Sequence, residues 1–105
     1  RWVEAMKVLR SHARIGPVPY RQLSEASGLG SVHLNRLFRS TGGRTPKQEL
    51  NRLVLQRALD LLTSRSASVK AIAFELGFSD SSHFCKWFAR HQKVSPQAYR
   101  IGLPV

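Results

Sequence analysis

The stretch 77-GFSDSSHFCKWF-88 decides how this chain folds. It reads as a tight turn followed by a helix with two unlike faces. Phe84, Trp87 and Phe88 stand at i, i+3 and i+4 and form one apolar stripe. Ser81, Ser82, Cys85 and Lys86 fall on the opposite stripe, mostly small and polar, with one cation. Just upstream, Ile72, Ala73 and Leu76 mark a second short amphipathic helix that ends at Gly77. Two short helices joined by a Gly-containing turn, the second with a small polar outer face, match the helix-turn-helix pattern. In that motif the second helix enters the DNA major groove. An ordinary helical hairpin in a bundle would carry the same apolar stripe, so this stretch alone leaves both readings open.

A repeat decides between them. Leu23-Ser24 and Gly28 line up with Ile72-Ala73 and Gly77, forty-nine positions on. After one extra residue in the second turn, Leu34 aligns with Phe84, Arg36 with Lys86, Leu37 with Trp87 and Phe38 with Phe88. Thr45-Pro46 then aligns with Ser95-Pro96. The unit occurs twice, so the chain is a tandem pair; a solenoid needs three or more copies. Both copies keep a basic residue on the outer face as well as the apolar stripe. A structural hairpin requires only the stripe to recur, and the recurring cation favours DNA binding.

Composition points the same way. With 105 residues the chain makes one compact unit or two very small ones, each marginal alone. Lys and Arg number 17 against 6 acidic residues, a net charge of +11. The pI near 11.4 lies above the level of about 9 that marks a nucleic-acid footprint. A basic amphipathic membrane binder would line its cations along one long helix; here they spread over several short ones. No apolar run approaches a membrane span, and no signal-peptide pattern opens the chain. The chain starts at Arg1 and its only methionine is Met6, which leads us to expect a piece of a longer protein. The single Cys85 cannot form an internal disulfide and fits a reducing, cytoplasmic setting.

In chain order, Trp2, Met6, Leu9 and Ala13 recur with helical spacing, so the first helix is expected over about 2–13, stopped by Gly16-Pro17 and Pro19. A second helix over about 20–27 should bury Leu23 and Ala26, with Gly28-Leu29-Gly30 as the turn. Ser31 can cap the third helix, because its hydroxyl can accept from first-turn amides. That helix, 31-SVHLNRLFRS-40, should bury Leu34, Leu37 and Phe38 and show Val32, Asn35, Arg36 and Arg39 outward. Those side chains suit bases: Arg can donate twice to guanine, Asn can pair with adenine N6 and N7, and Val can touch a thymine methyl. The plain alternative for Arg36 is a solvated charge or a phosphate contact.

Gly42-Gly43 offers a left-handed helix end. Thr45, Pro46 and Gln48 then form a capping box with Pro at the first helical position. The long helix that follows is expected to run to Leu62 or Thr63, about 27 Å at about 1.5 Å per residue. Leu50, Leu53, Val54, Ala58, Leu61 and Leu62 give it apolar positions on more than one side, as a connector needs. Tilted, such a helix could bridge successive major grooves about 34 Å apart. A loop follows over 64–67, Ser68 caps the fifth helix, and Ser79 or Asp80 caps the sixth. Ser95-Pro96 starts a last helix in which Tyr99 and Ile101 should close the second half, and residues 102–105 read as a frayed end. This gives an all-α fold divided as 1–44, a connecting helix 45–63, and 64–105.

The residues 71-AIAFELGFSDSSHFCKWFARHQKVSPQAYR-100 and 34-LNRLFRSTGGRTP-46 resemble the DNA-binding domain of AraC/XylS-type bacterial transcription regulators. The likeness covers nearly the whole chain, from about 20 to 100. It implies seven helices in two helix-turn-helix subdomains joined by a long central helix, with both reading helices in successive major grooves of one site. Carried over by position, base contacts would come from Val32, Asn35 and Arg36 in the first helix, and from Ser81, Ser82, Cys85 and Lys86 in the second. It also implies double-stranded DNA as partner, an activator role with RNA polymerase contact, and an N-terminal effector or dimerisation domain in the intact protein. Three positions depart from the family pattern. Lys93 stands where Gly is usual after the second reading helix, and a left-handed residue there would be strained. Glu49 and Val54 stand where the central helix often has Tyr and Arg, and losing that Arg would remove a phosphate or interhelical contact.

The expected mechanism divides labour. Ser31, Arg39, Lys47, Ser79, Arg90 and Arg100 are the phosphate candidates, giving affinity without sequence information. Asn35 and Arg36 should supply most of the discrimination, with Lys86 and Ser81 adding less; the second face is poor in long side chains and leans on DNA shape. Enzymatic readings find little support. Cys85 and His83 fall short of the four ligands of a structural zinc site, and nothing in the sequence asks for a cofactor. The stronger rival is a protein-interaction module with only non-specific DNA affinity, although such a module need not put cations beside both motif faces.

Overall fold

A computed structural model of the chain describes residues 1–102. They form seven helices in the order α1 (Trp2–Ser11), α2 (Tyr20–Ser27), α3 (Ser31–Gly42), α4 (Pro46–Ser64), α5 (Val69–Glu75), α6 (Ser81–Gln92) and α7 (Pro96–Ile101), with no strand among the described residues. The fold is all-α. The frayed end expected over 102–105 falls, past Gly102, outside the described residues. The chain divides into two compact units, Arg1–Leu53 and Val54–Val105, so the division falls inside α4.

The repeat is carried into three dimensions. α3 and α6 are each 12 residues long and start fifty positions apart, as do α4 and α7, which both open on proline. α2 and α5 start forty-nine apart, so the register slips by one residue in the turn between the paired helices.

In the first unit, Ala5, Met6, Leu9, Ala13, Leu23, Leu34, Phe38 and Leu50 are buried together. The Trp2 ring meets Phe38 edge-on at 5.0 Å. The two glycines ending α3 have different work. A Cβ on Gly42 would lie 2.7 Å from the Trp2 ring, so Trp2 packs there only because that side chain is missing. Gly43 is the left-handed residue, at φ 73°. The Thr45 capping box forms as expected: the Gln48 amide donates to Thr45 Oγ1 at 3.1 Å, and the Thr45 amide donates to Gln48 Oε1 at 2.9 Å.

Four local expectations are corrected in this unit. Leu37 is only half-buried, at the edge of the stripe that Leu34 and Phe38 bury. α1 stops at Ser11, two residues early, because Ser11 Oγ donates to the Val8 carbonyl at 2.7 Å and the His12 ring nitrogen reaches that same oxygen at 2.8 Å. Ala26 is exposed and Ser27 is buried. The inward stripe of α2 steps by four from Leu23, and Ser27 spends its hydroxyl on the Leu23 carbonyl (2.7 Å) while accepting from the Leu29 amide (3.2 Å). Ser31 does not cap α3. Gly30 holds the cap position in extended backbone with no side-chain bond, and Ser31 is already helical.

Glu49 is buried, unusually for a carboxylate. Arg52 donates to its Oε2 from Nε at 2.9 Å and from Nη2 at 2.6 Å, and Arg44 stands 3.5 Å from Oε1. The hydrogen bond from Arg52 to Glu49 holds that guanidinium still further above its ordinary value. The pairing explains how an acid is tolerated at this buried position. The arginines remain partly solvated, which keeps the net gain modest. Val54 is fully buried.

In the second unit Val54, Ala58, Leu62, Ile72, Ala73, Leu76, Phe78, Phe84, Trp87 and Phe88 are buried. Phe78 sits among the rings, 5.2 Å from Phe84 and 5.4 Å from Trp87. Ser68 caps α5 by accepting from the Ala71 amide at 3.0 Å, and Asp80 caps α6 by accepting from the His83 amide at 2.7 Å. Ile101 does not close this half: it is 78% exposed. Tyr99 packs on Phe88 at 5.9 Å, and a residue two further along a helix points away from it. Arg100 does the closing, its Nε donating to the Leu62 carbonyl at 3.1 Å and its Nη2 to the Leu61 carbonyl at 3.4 Å, at the carboxyl end of α4.

Lys93 ends α6 at φ 68° and ψ 4°, nearly the angles Gly43 uses to end α3. A side chain in that region costs about 1–2 kcal/mol, so the helix exit is conserved in shape and strained in fact. Lys93→Gly is expected to raise the stability of the second unit by about 0.5–1 kcal/mol, because the greater unfolded-state entropy of glycine takes back part of the relief. A urea midpoint that falls instead would show Lys93 making an interaction worth more than its strain.

Candidate nucleic-acid interface

α3 buries Leu34 and Phe38, so its outer face is fixed by the core beneath it. Val32 is 66% exposed, and Asn35, Arg36 and Arg39 are exposed beside it. Their spacing of three, four and seven residues sets them in one outward stripe. α6 buries Phe84, Trp87 and Phe88 in the same way. Of its candidates, Ser82 and Lys86 are exposed, while Ser81 and Cys85 are half-buried. Arg90 is exposed one turn beyond Lys86.

The electrostatics of the two faces follow from where the acids are. Glu4 lies on the first turn of α1, and Glu25 pairs with Arg21, Glu49 with Arg44 and Arg52, and Glu75 with Arg57. Asp60 accepts from Gln56, and Asp80 is spent on the α6 cap. All six acidic residues thus lie off the outward stripes of α3 and α6. Among the described residues, no hydrogen bond or ion pair occupies Arg36, Arg39, Lys86 or Arg90. These cations meet only solvent.

The other phosphate candidates are placed differently. Lys47 Nζ donates to the Gly16 carbonyl at 2.5 Å, and Arg100 is committed to the end of α4. Ser79 Oγ lies 3.5 Å from His83 Nδ1. Ser31 is exposed on the first turn of α3, whose amides carry no side-chain cap. An uncapped helix amino end is suited to an anion; the equivalent end of α6 carries the Asp80 carboxylate and is not.

One functional candidate escaped the sequence reading. Tyr20, the first residue of α2, donates its hydroxyl hydrogen to Asn35 Oδ1 at 2.9 Å. The two are fifteen positions apart, and no local spacing rule connects them. Among the described residues, no group of three His, Cys, Asp or Glu side chains comes together as a metal site would require, and no helix is long and apolar enough to cross a membrane.

A family model described as a helix-turn-helix domain matches residues 23–101. The transcriptional activator RhaS of Escherichia coli (strain SE11) is 40% identical over 85 residues, covering 81% of this chain and 31% of RhaS. An uncharacterized HTH-type transcriptional regulator of Haemophilus influenzae is 37% identical over 79 residues, covering 75% of this chain and 26% of that protein. The chain therefore spans less than a third of the length of these curated relatives. Among solved structures, an AraC-type transcriptional regulator from Chromobacterium violaceum superposes with a TM-score of 0.82 at 27% identity, covering 98% of this chain and 93% of that one.

Proposed function

This chain belongs to the AraC/XylS-type helix-turn-helix DNA-binding domains of transcription regulators, and on that premise we propose that it reads a specific duplex site with α3 and α6 in successive major grooves. The observation that carries this reading is the pair of exposed, carboxylate-free helix faces with solvated cations at equivalent positions, Arg36 and Lys86. α4 acts as the connector that spaces the two reading helices. Arg36 and Asn35 supply most of the base discrimination, with Val32 beside them. Ser81, Ser82, Cys85 and Lys86 read less and rely more on groove shape.

Phosphates are held by Arg39 and Arg90 and by the open amino end of α3 at Ser31, with Ser79 at the start of the second motif. Lys47 and Arg100 join them only by exchanging a backbone carbonyl for a phosphate. The intact protein carries a further N-terminal effector or dimerisation domain, works in the cytoplasm, and activates transcription through contact with RNA polymerase. The activator named among its relatives supports the activating role.

Arg36→Ala tests the base-reading role. It is expected to weaken binding to the preferred site by about 1–3 kcal/mol, roughly 5- to 150-fold, and to relax preference at one base pair. Binding to random duplex should change far less. Equal losses on both, measured by fluorescence anisotropy at one salt concentration, would reduce Arg36 to a phosphate contact and favour a protein-interaction module with non-specific DNA affinity.

A further inference from the structure

We propose that Tyr20 is a specificity-determining residue that acts through Asn35: its hydroxyl fixes the orientation of the Asn35 amide and so sets the base preference at one position of the site. The inference rests on the reading of α3 as a recognition helix.

An asparagine amide has unlike ends, an oxygen that accepts and an NH2 that donates. On a solvent-exposed helix face it can turn end for end, and the donor–acceptor order it offers a base reverses. Bidentate pairing with adenine needs one order only, the oxygen on N6 and the nitrogen on N7. Asn35 is exposed, and one end of its amide is engaged. Tyr20 Oη donates to its Oδ1 at 2.9 Å. A phenol donates well and accepts poorly, because its oxygen lone pair is drawn into the ring. The hydroxyl therefore prefers the oxygen end of the amide, and the NH2 end is left for the groove in a preset direction. Ordering the side chain before DNA arrives also removes part of the entropy that binding would otherwise cost.

The backbone that carries the phenol is itself fixed. Tyr20 follows Pro19 at the start of α2, its amide donates to the Val18 carbonyl at 2.8 Å, and the Leu23 amide donates to the Pro19 carbonyl at 3.0 Å. Among the described residues this is the hydrogen bond that ties an outward side chain of α3 to another helix. The repeat supplies an internal control. The position equivalent to Tyr20 is Val69, and the position equivalent to Asn35 is Cys85. Val69 has no hydrogen-bonding side chain, so the second motif lacks the device. Both partners are present in the half expected to carry most of the discrimination, and both are absent in the other.

The test compares wild type, Tyr20→Phe, Asn35→Ala and the double variant on a panel of duplexes carrying each of the four base pairs at every position of the selected site, and on random duplex. Tyr20→Phe keeps the ring and the charge and removes only the hydroxyl. It is expected to lower discrimination by roughly three- to tenfold, a part of what a bidentate contact provides, at the same base pair where Asn35→Ala abolishes preference. Its affinity for random duplex and its thermal midpoint should match wild type. In the Asn35→Ala background, Tyr20→Phe should change nothing further. Unchanged preference in Tyr20→Phe overturns the proposal while leaving the recognition helix standing. So does a uniform loss on all duplexes, or a loss that persists without Asn35; either would make Tyr20 a phosphate contact. Wild-type protein without preference at any position would overturn the recognition-helix reading and this inference with it.

Discussion

Phe38→Ala is expected to destabilise the first unit by about 3–5 kcal/mol, the usual cost of emptying a buried aromatic site. Phe38 has no exposed surface, and its ring is held edge-on by Trp2, with Leu34 buried on the same helix. A unit of residues 1–53 can be expected to hold only about 3–8 kcal/mol in total, at roughly 0.05–0.15 kcal/mol per residue. The substitution therefore removes most of the stability that keeps α3 in place. Far-ultraviolet circular dichroism should show the urea midpoint of the first unit moved to well under half its wild-type value. Phe38→Leu, which keeps much of the volume, should cost roughly 1–1.5 kcal/mol. A cost for Phe38→Ala below about 1 kcal/mol would mean that the reading face does not rest on this core.

Salt is expected to have the other large effect. Each phosphate neutralised by a cation releases counterions, and the slope of log affinity against log salt is about −0.9 per contact. Four cations are offered to phosphate: Arg39, Lys47, Arg90 and Arg100. If all engage, the slope is about −4, and affinity falls roughly a hundredfold between about 50 and 200 mM salt. The structure gives this number a finer use. Lys47 and Arg100 already bond to backbone carbonyls, whereas Arg39 and Arg90 are exposed and unoccupied. A slope near −2, about tenfold over the same range, would mean that only the latter two engage. A slope near zero would contradict phosphate binding altogether.

Much of this was legible in the sequence, for reasons that are local. The pair of helix-turn-helix units follows from apolar residues at helical spacing, and those residues form the core of each unit. The Thr45 capping box and the Ser68 cap were legible, and the sixth helix's cap was narrowed to Ser79 or Asp80, because a cap needs only its own side chain and an amide three residues on. What could not be read depends on neighbours distant in sequence or on competition within one turn. Ala26 and Ser27 are adjacent, and which faces inward is set by the exact phase of an eight-residue helix. Ser31 looked like a cap because it is a serine before an apolar run, but the turn from Gly28 delivers Gly30 to that position. Ile101 is apolar yet exposed, since Tyr99 and Arg100 already close α7 against its unit.

The candidate site divides in the same way. The outward stripe of α3 is the complement of its buried stripe, so Val32, Asn35, Arg36 and Arg39 could be named without a structure. On α6 the same rule was less sharp, and Ser81 and Cys85 sit half-buried at the edge of the face. The Tyr20–Asn35 bond joins two helices through a tertiary approach that no spacing announces. Glu49 gave no sign that it would be buried, because its partners Arg44 and Arg52 are ordinary surface cations until the fold brings them to it.

The most direct test of tandem reading is selection of bound sequences from a random duplex library, with this chain at near-physiological salt. Two recognition helices with different outward residues predict a long, asymmetric site in two parts, their centres about one helical turn of DNA apart. The part read by α3 should be the more sharply defined. A single short motif, or a perfect palindrome as the best site, would contradict one chain reading two grooves.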